Sequence, residues 1–283
     1  MDVGALWDDL QDTLTPLLGS FRARLDDLDV STKADQTLLS EADLAVQEHI
    51  VAKILAADPG AHIVAEEGRQ TLESVGSTTS NRTWIIDPID GTAQFVRPDQ
   101  VEFCSVVCLL DQRRPVAAFV LAPELGPERS SVRVSVDEAG GPIAVNGRVA
   151  AARSATEPLR ASVTRSSGVP PRPWEQPLLD AGFELKTRTT SQTLDMVRTC
   201  VDISSHTEPV LTPFALFYRP NQKVWDGAAG MCLAQAGGLR VLDRNGIDRP
   251  IIDLDFSVLE PQFPSTLVTL RSLPTEIVAA FAE

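Results

Sequence analysis

Histidine is scarce in this 283-residue chain, with three in all, and none is paired at a metal-ligating spacing. That argues against a zinc centre built on imidazole. The four cysteines, Cys104, Cys108, Cys200 and Cys232, are spaced unlike a zinc module. Cys104 and Cys108 fall inside a strand-like run, "EFCSVVCLL", where four residues span about 13 Å, too far for a disulfide. Four buried free thiols in a reducing compartment are expected. No stretch approaches the ~18 consecutive apolar residues of a membrane-spanning helix. Neither a Gly-rich nucleotide loop nor a GxSxG elbow occurs, so nucleoside triphosphate chemistry and serine hydrolysis lose support. Positive charge is in deficit: 25 Lys and Arg stand against 39 Asp and Glu, a formal net charge of −14. Nucleic acid and anionic membranes are therefore disfavoured as partners, and a small anionic partner would need local positive charge. The opening "MDVGALWDDLQDTL" has neither the basic nor the apolar region of a secretory signal, and a cytoplasmic protein is expected.

What is present is a pattern of alternating elements. Helical spacing of Leu6, Leu10, Leu14, Leu17, Phe21 and Leu25 predicts a helix over about residues 2–28. A second begins near Ser40, with Ala42, Val46, Ile50 and Ile54 inward, and ends at "DPGAH". "IVAEEG", "TWIIDP", "EFCSVVCLL" and "PVAAFVLAP" read as buried strands, and Asn146-Gly147 as a hairpin turn. Beyond a boundary near 150–160, "RASVTRSS" and "FALFYRP" read as strands. "WEQPLLDAGF", "QTLDMVRTCVDI" and "WDGAAGMCLAQAGG" read as helices, the last closed by Gly237 and Gly238. Two domains are expected, 1–155 of α+β type and 156–283 of α/β type.

The segment "TWIIDPIDGTAQF" concentrates chemistry at the end of an apolar run. Pro88 restrains Asp87 to an extended conformation, and a turn there would carry Asp90 back toward Asp87, so that both carboxylates face one point. Gly91 permits close backbone approach, and a helix starting near Thr92 would aim N–H groups at an anion. Glu66 and Glu67 also follow a strand, and a glutamate buried without a partner there is costly unless a cation resolves it. Taken alone, such a segment is an ordinary turn more often than a site. Hard carboxylate oxygens without histidine or thiolate suit Mg²⁺.

Together, "KADQTLLSEAD" (33–43), "AEEG" (65–68), "WIIDPIDGT" (84–92) and "WDGAAGMCLAQAGG" (225–238) resemble, in order, the motifs of the inositol monophosphatase superfamily of metal-dependent, lithium-sensitive phosphatases. The resemblance implies a layered αβαβα sandwich, a homodimer, and hydrolysis of a small phosphorylated metabolite with two or three Mg²⁺ ions. It implies that Glu66, Asp87, the carbonyl of Ile89, Asp90 and Asp226 hold metal, with Asp226 arriving from the second domain. It also implies that Thr92, paired with Asp43, orients the attacking water together with Glu66, and that Gly91 and Thr92 bind phosphate. Lys33 stands where the family has a basic residue in a loop near the metals, with Glu67 a further loop contact. Such ions can bridge phosphate oxygens, acidify water and stabilise a leaving alkoxide; about three of them balance four carboxylates and a phosphate dianion.

Family substrates include inositol phosphates, adenosine 3′,5′-bisphosphate, fructose bisphosphate and histidinol phosphate, and the metal motifs do not choose among them. Ala93-Gln94 replaces the usual Thr-Asn, and "SQTLD" (191–195) replaces a Gly-Thr-Ala-type loop, so the wall that recognises the alcohol differs. Ala93, Ser166, Gln192 and Arg219 are the candidates for that wall. "EFCSVV" and the following "AP" look partly like bacterial adenosine bisphosphate phosphatases, although their lysine after "DGT" is missing. Phe214, Phe217 and Tyr218 are expected in the core, and Trp225 as a packing residue beside Asp226. From local sequence alone, Asp226 could equally be a helix N-cap. The alternative in another class is a catalytically idle phosphate-binding protein.

Overall fold

The structure, a computed structural model, describes residues 1–32, 38–67, 81–151, 153, 159–165 and 169–282. The first amphipathic pattern folds as α1 (Val3–Arg22), capped by Asp2, whose carboxylate accepts the Ala5 N–H at 3.0 Å. Its buried face is Leu6, Trp7, Leu10, Leu14, Leu18 and Phe21. The expected helix is cut short at Arg22, and a separate turn, Leu25–Asp27, follows. Leu17 and Leu25 are only partly buried, and Leu18 is buried within α1 instead. The paired strands β1 (Val30–Thr32) and β2 (Leu38–Ser40) lead into α2 (Glu41–Ala57). Ser40 and Asp43 form a reciprocal capping box at its start, and Ala42, Val46, Ile50 and Ile54 are buried as expected.

A seven-stranded sheet then runs in sequence order: β3 (His62–Ala65), β4 (Arg82–Asp90), β5 (Cys104–Asp111), β6 (Arg114–Ala122), β7 (Val132–Val136), β8 (Ala144–Val145) and β9 (Arg148–Val149). Only the β3–β4 pair is parallel. The last hairpin turns on Asn146 and Gly147 at φ 49° and 75°, the positive values that a two-residue turn between twisted strands needs.

Strands β5 and β6 are apolar on both faces, and their period of two divides them between two cores. Val107, Leu109, Ala117, Phe119 and Leu121 join α1 and α2, with Trp84 and Ile86 of β4. Cys104, Val106, Cys108, Leu110, Ala118, Val120 and Ala122 join a second core on the other face.

That second core is filled by two helices. One is α5 (Gln192–Cys200), which follows β10 (Arg160–Val163), α4 (Glu175–Asp180) and β11 (Glu184–Lys186). The other is α6 (Val224–Ala236), which lies against β4, β5 and β6. Trp225 and all of 227–234 are buried, as a helix sandwiched on every side requires. Beyond α5 and α6 lies a five-stranded sheet in the order β11, β10, β12 (Leu216–Lys223), β14 (Gln262–Thr269) and β13 (Arg240–Leu242). Arg219 of β12 reaches the start of α5, so its neighbour Tyr218 points to the opposite face. There its ring lies 5.0 Å from Trp174, just before α4, and 4.4 Å from Phe281, just after α7 (Thr275–Ala279).

The layers are thus α1/α2, seven strands, α5/α6, five strands and the outer α4 and α7, the αβαβα sandwich. Phe214, Phe217 and Tyr218 are in the core, and all four cysteines are free and buried, as expected. The expected boundary between 155 and 156 lies outside the described residues. Among the described residues no helix is long and apolar enough to cross a membrane.

Candidate active site

The expected turn at Pro88 is instead a continuation of β4 to Asp90. Asp87 pairs with Val106 and Asp90 with Cys104, so three steps on β4 match two on β5. A regular strand would send residues three apart to opposite faces; the extra residue in this bulge returns them to one side. Pro88 has no N–H to lose from the ladder, and its carbonyl accepts the Ser105 hydroxyl at 2.7 Å. The acids converge as expected, through a bulge whose existence depends on β5.

Glu66 joins them because the parallel pairing continues past β3: its N–H donates to Ile86 O at 3.1 Å, setting it beside Asp87. From the other side of the cleft comes Asp226, the third residue of α6. Lys223 occupies the N-cap position, so the N-cap alternative for Asp226 does not hold. Asp87, Asp90 and Asp226 each offer an oxygen within 4.8 Å of the others.

The three carboxylates are held differently. Asp90 sits at the N-terminus of α5, where Oδ2 accepts from the Ser191 hydroxyl at 2.7 Å and the Thr193 N–H at 2.6 Å, and Oδ1 from the Gln192 N–H at 3.3 Å. The same Ser191 oxygen accepts the Leu194 N–H at 3.0 Å, capping the helix. Asp226 Oδ2 accepts from Gln192 Nε2 at 2.6 Å. Asp87 is 1% exposed, and neither of its oxygens receives a hydrogen bond among the described residues. Burial, then the charges of Glu66, Asp90 and Asp226, push the Asp87 carboxyl well above the ordinary range. Burial, then Asp90 and Glu66, do the same to Asp226, with Arg219 opposing. Asp90 is raised by burial, against its hydrogen bonds from Thr193 and Ser191. Three clustered acids, Asp87 and Asp90 buried and Asp226 partly so, with a donorless member among them, cost free energy as anions unless a cation joins them, and an all-oxygen set suits Mg²⁺.

Gly91, at φ 98°, follows the acids. A Cβ there would stand 3.2 Å from Glu102 O, 3.3 Å from Phe103 Cβ and 3.3 Å from Thr190 O, so the backbone conformation strains any other residue and its neighbours would have to yield by a few tenths of an ångström. The expected helix at Thr92 is one turn, α3 (Thr92–Phe95), and the Gln94 and Phe95 N–H groups are already spent on Gly91 O. Thr92 Oγ1 lies 3.2 Å from Asp43 Oδ1 and 3.2 Å from Ile89 O, the pairing expected from the sequence. Asp43 reaches it because the capping box ties its other oxygen to Ser40, at 2.8 Å from the N–H and 2.6 Å from the hydroxyl.

Around these groups lies a cleft of about 540 Å³ lined also by Ala93, Gln192, Arg219 and Trp225. Glu67 is buried, with its backbone bonded to the Gln47 side chain, and does not line the cleft. Lys33 and Ser166 lie outside the described residues. Thr189, Thr190, Asn221, Lys223 and Glu260 also line the cleft, and Ser191 and Thr193 support Asp90. Sequence reading missed these; only Ser191 leaves a signal, as a serine before a helical run.

The pattern of the inositol monophosphatase family matches residues 11–272. The histidinol-phosphatase of Mycobacterium tuberculosis (strain ATCC 25618 / H37Rv) is 31% identical over 230 residues, 79% of this chain and 81% of that protein. The 3′(2′),5′-bisphosphate nucleotidase CysQ of Aggregatibacter actinomycetemcomitans is 36% identical over 104 residues, 34% of this chain and 35% of its own length. Among solved structures, extragenic suppressor protein suhB from Bartonella henselae superposes with a TM-score of 0.78 at 19% identity, covering 100% of this chain and 99% of that one. An IMPase/NADP phosphatase complexed with Mg²⁺ and phosphate gives 0.74 at 18% identity, over 99% and 96%. At those identities the structures speak to fold alone. The family pattern spans the two sheets and every acid that meets in the cleft, and on that ground the chain belongs to the inositol monophosphatase family of phosphatases.

Proposed function

We propose that the protein hydrolyses a small phosphomonoester with Mg²⁺ held by Glu66, Asp87, the Ile89 carbonyl, Asp90 and Asp226. The observation that carries this is Asp87: a buried carboxylate without a hydrogen-bond donor among the described residues, within 4.8 Å of two other acids, suits a cation site. Magnesium bound there would supply Lewis acidity toward phosphate oxygens and water.

The chain's own groups act on the water and the alcohol. Thr92 donates its proton to Asp43 and Ile89 O, which leaves its oxygen lone pairs to accept from an attacking water. Glu66 is the second acceptor for that water. Attack on phosphorus breaks the ester P–O bond, and the alcohol leaves toward Gln192 and Arg219 with a proton taken up from solvent. Gly91 lets the backbone come close to the phosphate, beside Thr92. Ala93, Gln192 and Arg219 form the alcohol wall, with Ser166 as a further candidate and Lys33 as a loop contact near the metals. The proposal divides the chain into 1–155, with the seven strands, and 156–283, with the five. The resemblance adds a cytoplasmic homodimer, whose assembly sedimentation of the purified protein checks.

Phosphate release from inositol 1-phosphate, adenosine 3′,5′-bisphosphate, fructose 1,6-bisphosphate, histidinol phosphate and hexose phosphates, with Mg²⁺ and with EDTA, tests the proposal. Mg²⁺-dependent release from at least one is expected. Release that persists in EDTA would remove the metal, and none from any substrate would favour the idle binder.

A further inference from the structure

Three arginines are buried among the described residues, and two have acidic partners. Arg133 lies 2.6 Å from Asp8, and Arg198 lies 3.3 Å from Asp195. Arg219, 7% exposed, has no carboxylate at ion-pair distance among the described residues. Its hydrogen bonds go to neutral oxygens, Nε to Gln192 Oε1 at 2.9 Å and Nη2 to Thr189 Oγ1 at 2.9 Å. Burial pulls its pKa down, and Asp226, Asp195 and Asp90 oppose that from a distance. Those acids have other duties: Asp195 is neutralised by Lys186 at 2.6 Å and by Arg198, and Asp90 and Asp226 face cations under the phosphatase assignment. Among the described residues the other cation of the cleft wall, Lys223, is paired with Glu260. A buried guanidinium left uncompensated is costly until an anion reaches it.

The Gln192 amide stands between Arg219 and Asp226, bonded to both. Two hydrogen bonds and the width of an amide set the guanidinium about 7 Å from that carboxylate. Arg219 and the acids line the same cleft, so a phosphate held by the acids would leave the guanidinium free to meet the rest of the substrate. The geometry points to a substrate whose alcohol part carries a second anion, carboxylate or phosphate, received by Arg219. A guanidinium fork suits either group through paired N–H donors. Amino-alcohol phosphates would set a cation against it and be disfavoured. This inference rests on the phosphatase assignment.

Matched substrates test it. Glycerol 2-phosphate and 2-phosphoglycerate differ by a hydroxymethyl group exchanged for a carboxylate, and fructose 6-phosphate and fructose 1,6-bisphosphate by a second phosphate. In at least one pair, kcat/KM is expected to favour the second anion about tenfold or more, equivalent to ~1.4 kcal/mol, with phosphoethanolamine poorer than any of the four. The pair that responds identifies the anion. Arg219→Gln should bring that ratio to within about twofold of one, and Arg219→Lys should keep part of it. Ratios near one in both pairs for the unaltered enzyme overturn the inference without any variant. So does a preference that survives Arg219→Gln, or an equal loss on both members of a pair, which would make Arg219 a positioning residue for Gln192 and Asp226. Absence of Mg²⁺-dependent release from all five compounds and from para-nitrophenyl phosphate would remove the phosphatase assignment and the inference together.

Discussion

At the scale of single residues, Asp87 is a destabilising group that the proposed chemistry needs. Its charge is buried among acids without a donor, so Asp87→Asn should stabilise the metal-free protein by about 1–2 kcal/mol, a rise of a few degrees in Tm. The same change should abolish the Mg²⁺-induced rise in Tm and Mg²⁺-dependent turnover. Melting curves with and without Mg²⁺ check both, and a Mg²⁺ shift that survives the substitution removes Asp87 from the metal site. Thr92→Val keeps the shape of the side chain and loses the hydroxyl bonded to Asp43. Steady-state kinetics should show kcat down about 10²-fold or more with little change in KM, and Thr92→Ser should recover most of it. The acids and the Thr92–Asp43 pair were legible in the sequence because strand ends and family motifs mark them. Ser191 and Thr190 were not: their importance lies in meeting Asp90 and Gly91 from 101 and 99 positions away, which only the tertiary fold arranges.

At the scale of elements, one serine hydroxyl couples helix stability to site geometry. Ser191 caps α5 and holds Asp90, so Ser191→Ala should cost about 1–2 kcal/mol in a urea titration and weaken Mg²⁺ binding as well. Loss of stability with unchanged Mg²⁺ affinity would leave Ser191 as a cap only. Helix starts were well read in advance, since capping residues such as Ser40 act locally. The course of β4 past Pro88 was not, because a bulge is a property of two strands and its partner β5 lies across a loop. The end of α1 at Arg22 was overrun by a pattern that continued through Leu25 after the helix had stopped.

At the scale of the whole molecule, the acids link stability to pH and metal together. Asp87, Asp90 and Asp226 all have raised folded pKa values. Their stabilising contribution is full below the ordinary carboxylate pKa of ~4 and is lost as pH rises through the folded values. A chelated sample should therefore melt at lower temperature as pH climbs above about 4. Under the proposed assignment Mg²⁺ would bind the charged form, so the gap between Mg²⁺ and EDTA melting curves should widen with pH. At a hundred times Kd it should reach about 2.7 kcal/mol. Scanning calorimetry across pH in both conditions measures it, and a gap that narrows counts against the acid cluster as the binding site. The five-layer architecture was expected from the family resemblance; local patterning alone reached only an α/β second domain. The division of β5 and β6 between two cores has a further result. Both faces are apolar, so polarity cannot choose their register. The face toward α6 carries mostly small side chains, Cys104, Cys108, Ala118 and Ala122, against a helix rich in alanine and glycine, while the face toward α1 carries Phe119, Leu109 and Leu121. Slipping one residue would drive Phe119 into the tight layer and leave a void in the loose one. In this sheet, volume does the work of proofreading that hydrophobic alternation does elsewhere.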